Sequence, residues 1–211
     1  LLFAHNQCLE DPRDGLSLFG PLDPVQAYGI RYGVIGTKDG IGRFRRWVEH
    51  IQGPLFNPKP TRSRPPFPGF EAAFGIPWNP VPTIEIPLTH HDLMKNLHLD
   101  DKYKRVYETA KLFASQILIA TKQEEANPDL WFVVIPDDVY RYCRPQSLLP
   151  KDLRIEAIGT MNPATARSFG KSPPLPFFSD WLEDAKAYQY DPDFRNQLKA
   201  QLLEAQIPTQ I

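Results

Sequence analysis

Leu130-Trp-Phe-Val-Val-Ile135 is an unbroken apolar run, bounded by Asn127-Pro128-Asp129 on one side and Pro136 on the other. A run this short, rich in β-branched and aromatic residues and fenced by turn formers, reads as a strand and not as a helix. A strand apolar on both faces needs cover on both, which a parallel sheet flanked by helices supplies. Upstream, Ile30-Arg-Tyr-Gly-Val-Ile35 has the content of a second strand. Gly36-Thr-Lys-Asp-Gly-Ile-Gly42 is expected to be its loop, and a helix carrying Phe44, Trp47, Val48 and Ile51 follows until Gly53-Pro54 ends it. Thr83-Ile-Glu-Ile86 is a short strand closed by Pro87. Apolar positions at 103, 106, 107, 110, 113, 114, 117 and 118 then mark a long amphipathic helix, stopped by Asn127-Pro128-Asp129. Strand, helix, strand, helix, strand, helix and a closing strand predict an α/β fold: a Rossmann-like open parallel sheet flanked by helices, with right-handed crossovers. Ligands of such sheets sit beyond the carboxyl ends of the strands.

Around this frame, residues 1–26 are dense in turn signals (Asp11-Pro12, Arg13-Asp14-Gly15, Gly20-Pro21, Asp23-Pro24) bracketing Leu16-Ser-Leu-Phe19, and read as an extended lead-in. Residues 27–211 are expected to form one domain. Its 54–82 segment is proline-rich, extended and packed by its aromatics. A long insertion at about 137–190 carries a short helix at Phe178–Tyr188. Ile207-Pro-Thr-Gln-Ile211 reads as the beginning of a buried strand, which implies a domain truncated at its C-terminal end.

Composition bounds the function. At 211 residues, 42% hydrophobic and 23% charged, the chain can bury a core. A formal charge of −1 means that contact with a polyanion must come from a local patch. Cys8 and Cys143 are isolated thiols without metal spacing, as in a reducing cytosol. No apolar run approaches a bilayer span and no signal peptide heads the sequence, so a cytoplasmic location is expected.

The local patch is near the C-terminus. Asp191 is an N-cap candidate, Pro192 suits the first helical position, and strong helix formers follow to about 206. Arg195 and Lys199 then point the same way, and like charges four apart repel by a few tenths of a kcal/mol unless an anion sits between them. Solvated surface is the plain alternative. Thr209 and Gln210 lie in the turn beyond, where Gln210 offers an uncharged amide donor. A terminal phosphate suits this set, because a guanidinium fork and a compact ammonium provide charge-assisted bonds. Tyr140 or Tyr142 could stack on a base, though both also fit ordinary packing.

Other patterns are weaker. Gly33-x-x-Gly36 with Gly40-x-Gly42 matches neither a dinucleotide fingerprint nor a Walker loop. His90-His91-Asp92 with His98 lacks a second ligand pair and reads as a solvated loop or cap. A nucleophilic Cys143 would need a base, and all five histidines lie at or before position 98. Arg43, Arg45, Arg46, Lys59, Arg62 and Arg64 form a basic stretch that either tracks a nucleic-acid backbone or coats a helix and loop.

Three phrases together resemble one family. Asp11-Pro-Arg-Asp-Gly-Leu-Ser-Leu-Phe-Gly-Pro-Leu22 followed by Ile30-Arg-Tyr-Gly-Val-Ile-Gly36 is similar to the segment leading into the MID domain of prokaryotic Argonautes, especially the short ones. Val133-Val-Ile-Pro136 resembles the strand phrase ahead of that family's guide-binding helix, and Arg195, Lys199 and Thr209-Gln210 resemble its pocket for the 5′ phosphate of the guide. The resemblance implies a non-enzymatic module that anchors a small guide RNA or DNA for pairing with a complementary target, in defence against phages and plasmids. It further implies Mg2+ at the guide 5′ end, a PIWI domain beyond this sequence, and an effector protein with an APAZ region joined to a SIR2, TIR or nuclease domain. The long 137–190 segment departs from compact relatives, and a further pocket lysine would lie past Ile211. From the residues alone, a Rossmann-type nucleotide- or metabolite-binding enzyme domain stays open, as does an interaction domain that docks a partner through residues 54–82.

Overall fold

The computed structural model describes residues 1–23, 28–56, 58–59, 61, 66–123, 128–145, 161–171 and 179–211. Pro24, Arg62, Arg64, Pro65, Asn127 and Phe178, and residues 146–160 and 172–178 of the expected insertion, lie outside the described residues. The chain divides into two compact units, residues 1–32 with 42–83 and residues 33–41 with 84–211.

The first unit begins with β1 (Leu2–Phe3) paired antiparallel to β2 (Gln7–Cys8), followed by α1 (Pro12–Phe19). Residues expected to be extended are therefore partly helical. The reason is legible in Asp11-Pro12: the Asp11 carboxylate accepts from the Arg13 N–H at 2.9 Å, and Pro12 occupies the first turn. β3 (Tyr32–Thr37) and α2 (Lys38–His50) follow, with residues 33–41 counted in the second unit and 42–50 in the first, and then α3 (Phe70–Phe74), a helical turn inside the proline-rich segment. Trp78 is the hub of this unit, meeting Tyr32, Phe44, Trp47 and Phe70 with ring centroids 4.9–6.3 Å apart, mostly edge to face. The Tyr32 hydroxyl donates to the carbonyls of Asn79 and Pro80.

The second unit contains β4 (Ile84–Leu88), α4 (His90–Leu97), α5 (Lys102–Gln123), β5 (Leu130–Val133), α6 (Asp137–Tyr142), α7 (Pro163–Lys171), α8 (Ser179–Tyr188), α9 (Phe194–Glu204) and β6 (Thr209–Gln210). It is α/β: a four-stranded parallel sheet ordered β4-β3-β5-β6 and flanked by helices, compatible with a Rossmann-like fold. Register runs from Gly33 opposite Ile84 to Thr37 opposite Leu88, and Trp131 and Phe132 face Thr209 and Gln210. Pro87 lies within β4 instead of closing it, which an edge strand tolerates because one side of its ladder is unpaired. The expected loop at 36–42 does not form. Helix α2 begins at Lys38, where the Thr37 hydroxyl accepts from the Gly40 N–H at 3.1 Å, and a Cβ on Gly40 would meet Val134 at 3.1 Å. Gly40 serves close packing of helix on strand and Gly36 the close approach of the Val134 backbone, and no phosphate-cradling loop results.

The core of this unit is built on α5, whose Val106, Ala110, Phe113, Ala114 and Ile117 are buried with Ile35, Trp131, Val133, Phe194, Leu198 and Leu202. Phe113 meets Phe194 edge to face at 5.1 Å, seating α9 on α5. Helix α8 is held to α5 by the stacked rings of Tyr103 and Tyr188 and by the Tyr188 hydroxyl, which donates to buried Asp101. Among the described residues no helix is long and apolar enough to cross a membrane.

Candidate functional site

Strand β5 delivers its chain to a short, tightly closed turn. Val134 N–H donates to Ile35 O at 2.9 Å, then Pro136, extended at φ −64° and ψ 151°, opens α6. Cys143 ends α6 by donating its N–H to Val139 O, and its own carbonyl accepts from Phe194 N–H at 2.9 Å. The end of α6 is thereby bonded to the start of α9. The α9 cap is Asp193, whose carboxylate accepts from Asn196 N–H at 3.0 Å. Asp191, the expected cap, instead faces Arg167 at 3.7 Å. The shift by two residues leaves Arg195 in the first turn of the helix.

Between these ends, beyond the carboxyl end of β5, is a cavity of about 200 Å³. Ile135, Val139, Cys143 and Phe194 supply its apolar lining, and Tyr140, Arg144, Asp193 and Arg195 its polar one. The Arg144 guanidinium carbon lies 4.2 Å from the centroid of the Tyr140 ring. Arg195 is exposed and makes no ion pair or hydrogen bond with its side chain among the described residues. An amino-terminal helix turn adds a partial positive charge of roughly half a unit, and Asp193 spends part of its own charge on the cap. The cavity therefore favours an anion with an apolar neighbour.

Of the expected site residues, Arg195 and Tyr140 line this cavity. Lys199 is exposed one helical turn along α9, Tyr142 is exposed at the end of α6, and Thr209 and Gln210 stand on β6 opposite Trp131 and Phe132. None of those four is among the described residues lining the cavity. The Thr209 hydroxyl donates to Ile207 O at 3.1 Å. Arg144 was missed, although Tyr140 and Arg144 are four apart at the end of a helix, a spacing that places a cation over a ring.

Two weaker readings are resolved by geometry. His90 and His91 open α4 behind the Thr89 cap, with the Thr89 hydroxyl donating to Asp92 at 2.6 Å, so the cap describes them. Cys143 is buried, its sulfur 3.9 Å from the Thr109 hydroxyl, and burial pushes the thiol up to about 12. A thiol held protonated is a poor nucleophile. Alkylation of the native protein near pH 8 is expected to modify exposed Cys8 and spare Cys143, with both reacting after denaturation, as read by intact mass. Because the folded group holds its proton more tightly, its stabilising share is constant below about 9, the ordinary value, and is lost as pH rises from there to about 12.

No protein-family model and no curated protein sequence matches the chain.

Proposed function

We propose that the chain anchors the phosphorylated 5′ end of a small guide RNA or DNA, as the MID domain of a short prokaryotic Argonaute would, and that it does no chemistry of its own. The observation that carries this reading is Arg195, without a protein counter-ion among the described residues, at the mouth of a small cavity beyond the carboxyl end of β5. Size supports it. Sites that enclose a whole small molecule commonly span about 300–1,000 Å³. A cavity of about 200 Å³ suits a phosphate and part of its sugar, the end of something longer. The partners that accompany the reading are a complementary target strand, a PIWI domain and an APAZ-bearing effector of SIR2, TIR or nuclease type, in the cytoplasm.

Side-chain donors at the cavity do not fit a protein-held Mg2+. One carboxylate, Asp193, already accepts a helix N–H and shares the lining with two guanidiniums, whereas Mg2+ favours several oxygen ligands.

Fluorescence anisotropy with a labelled oligonucleotide tests the proposal. A 5′-phosphorylated strand is expected to bind at least about tenfold more tightly than its 5′-hydroxyl counterpart, the worth of one charge-assisted contact. Equal affinities would sink the reading. Displacement of the strand by a mononucleotide far below the strand's own Kd would favour a Rossmann-type nucleotide-binding enzyme domain.

A further inference from the structure

We propose that Arg144 is a ligand-binding residue of this cavity, a second guanidinium for the phosphate, and that Tyr140 acts by holding it in place. The inference rests on the phosphate reading above and names which groups carry it out.

Arg144 is half-buried, directly follows the residue whose carbonyl bonds the start of α9, and lines the same cavity as Arg195. It has no carboxylate partner among the described residues; its contact is the Tyr140 ring, 4.2 Å away. An arginine that stacks on an aromatic face keeps its N–H edges available for bidentate bonding, because ring and fork use different parts of the guanidinium. The same stack covers one face of Tyr140, which is half-exposed. On this proposal the tyrosine is a positioning residue for Arg144.

Charge balance points the same way. Asp193 forms no ion pair with Arg195, but its carboxylate faces the same cavity and in net charge cancels one guanidinium, so that with Arg195 alone little more than the helix end is left to balance an anion. Adding Arg144 brings the groups facing the cavity to roughly +1.5, counting about half a charge for the α9 terminus. A terminal phosphate carries about −1.5 to −2 at neutral pH. The two-arginine site matches that charge and the one-arginine site does not.

The test uses the full chain as wild type, Arg144→Ala, Tyr140→Ala and the double variant, each titrated with 5′-phosphorylated and 5′-hydroxyl strands. Arg144→Ala is expected to weaken the phosphorylated strand about tenfold and leave the hydroxyl strand unchanged. Tyr140→Ala should cost about two- to fivefold, again only with the phosphate present, and nothing further once Arg144 is gone. Arg144→Gln, which keeps a polar side chain without the charge although two atoms shorter, guards against a folding defect. Wild-type affinity in Arg144→Ala, or a Tyr140→Ala loss equal for both strands, would overturn the inference. If Arg195→Ala abolishes the phosphate preference while Arg144→Ala keeps it, this inference alone fails. If the wild type shows no preference, the phosphate reading and this one fail together.

Discussion

Replacing Arg195 and Lys199 together by alanine is expected to cost about a hundredfold in affinity for a 5′-phosphorylated strand, from two charge-assisted contacts of roughly 1.5 kcal/mol or more each. Binding of the 5′-hydroxyl strand should change far less, since both cations address phosphate and not base. The two shares are expected to be unequal. Arg195 lines the cavity in the first turn of α9, whereas Lys199 is a turn further on and outside the lining, so on the phosphate reading its share would depend on its flexible stem and on field. Titrations of both single variants over a salt series measure the split. A double variant that retains the wild-type preference would remove α9 from the site.

The second large effect is on stability. Trp131 is 1% exposed at the centre of the sheet, and a Cβ added at Gly33 on the neighbouring strand would lie 2.5 Å from its ring. Indole and bare backbone therefore fill one space. Trp131→Ala is expected to destabilise by about 3–5 kcal/mol, the usual cost of emptying a large aromatic site. Gly33→Val overfills the site and is expected to cost about 3 kcal/mol. Made in the Trp131→Ala background, Gly33→Val should cost much less, because the vacated volume receives the new side chain. Urea unfolding of the four proteins gives the coupling directly; strict additivity would show that the contact is incidental. Against a typical total of 5–15 kcal/mol, either single change consumes much of the margin.

The same pair shows why the sheet was legible and its details were not. Leu130–Ile135 announced a buried strand by composition, and the parallel α/β arrangement followed from the alternation of periods. Burial is nonetheless uneven: Trp131 and Val133 are buried while Leu130 and Phe132 are half-covered. That asymmetry depends on which helices lie on each face, which no window of sequence contains. Gly36–Gly42 looked like a loop because glycine is read locally as a turn former, yet Gly40 is small so that α2 can approach Val134. Long-range contact decided that position. The α1 helix was recoverable from Asp11-Pro12, whereas the same kind of signal at Asp191-Pro192 sets the start of α9 two residues too early, its cap being Asp193.

At the cavity, Arg195 was found from helical spacing and Tyr140 from its aromatic character, whereas Arg144 was passed over because its worth depends on a neighbour ring and on the distant α9. Lys199 and Gln210 came from the same spacing and the family likeness, and they stand outside the cavity lining.

The bond from Phe194 N–H to Cys143 O has a kinetic meaning. It joins the two segments that present Arg144 and Arg195, so the proposed capture is expected to need no rearrangement of the main chain between them. If the cavity takes a phosphate as proposed, the local positive potential is expected to speed encounter, and differences in grip among ligands are expected mainly in residence time.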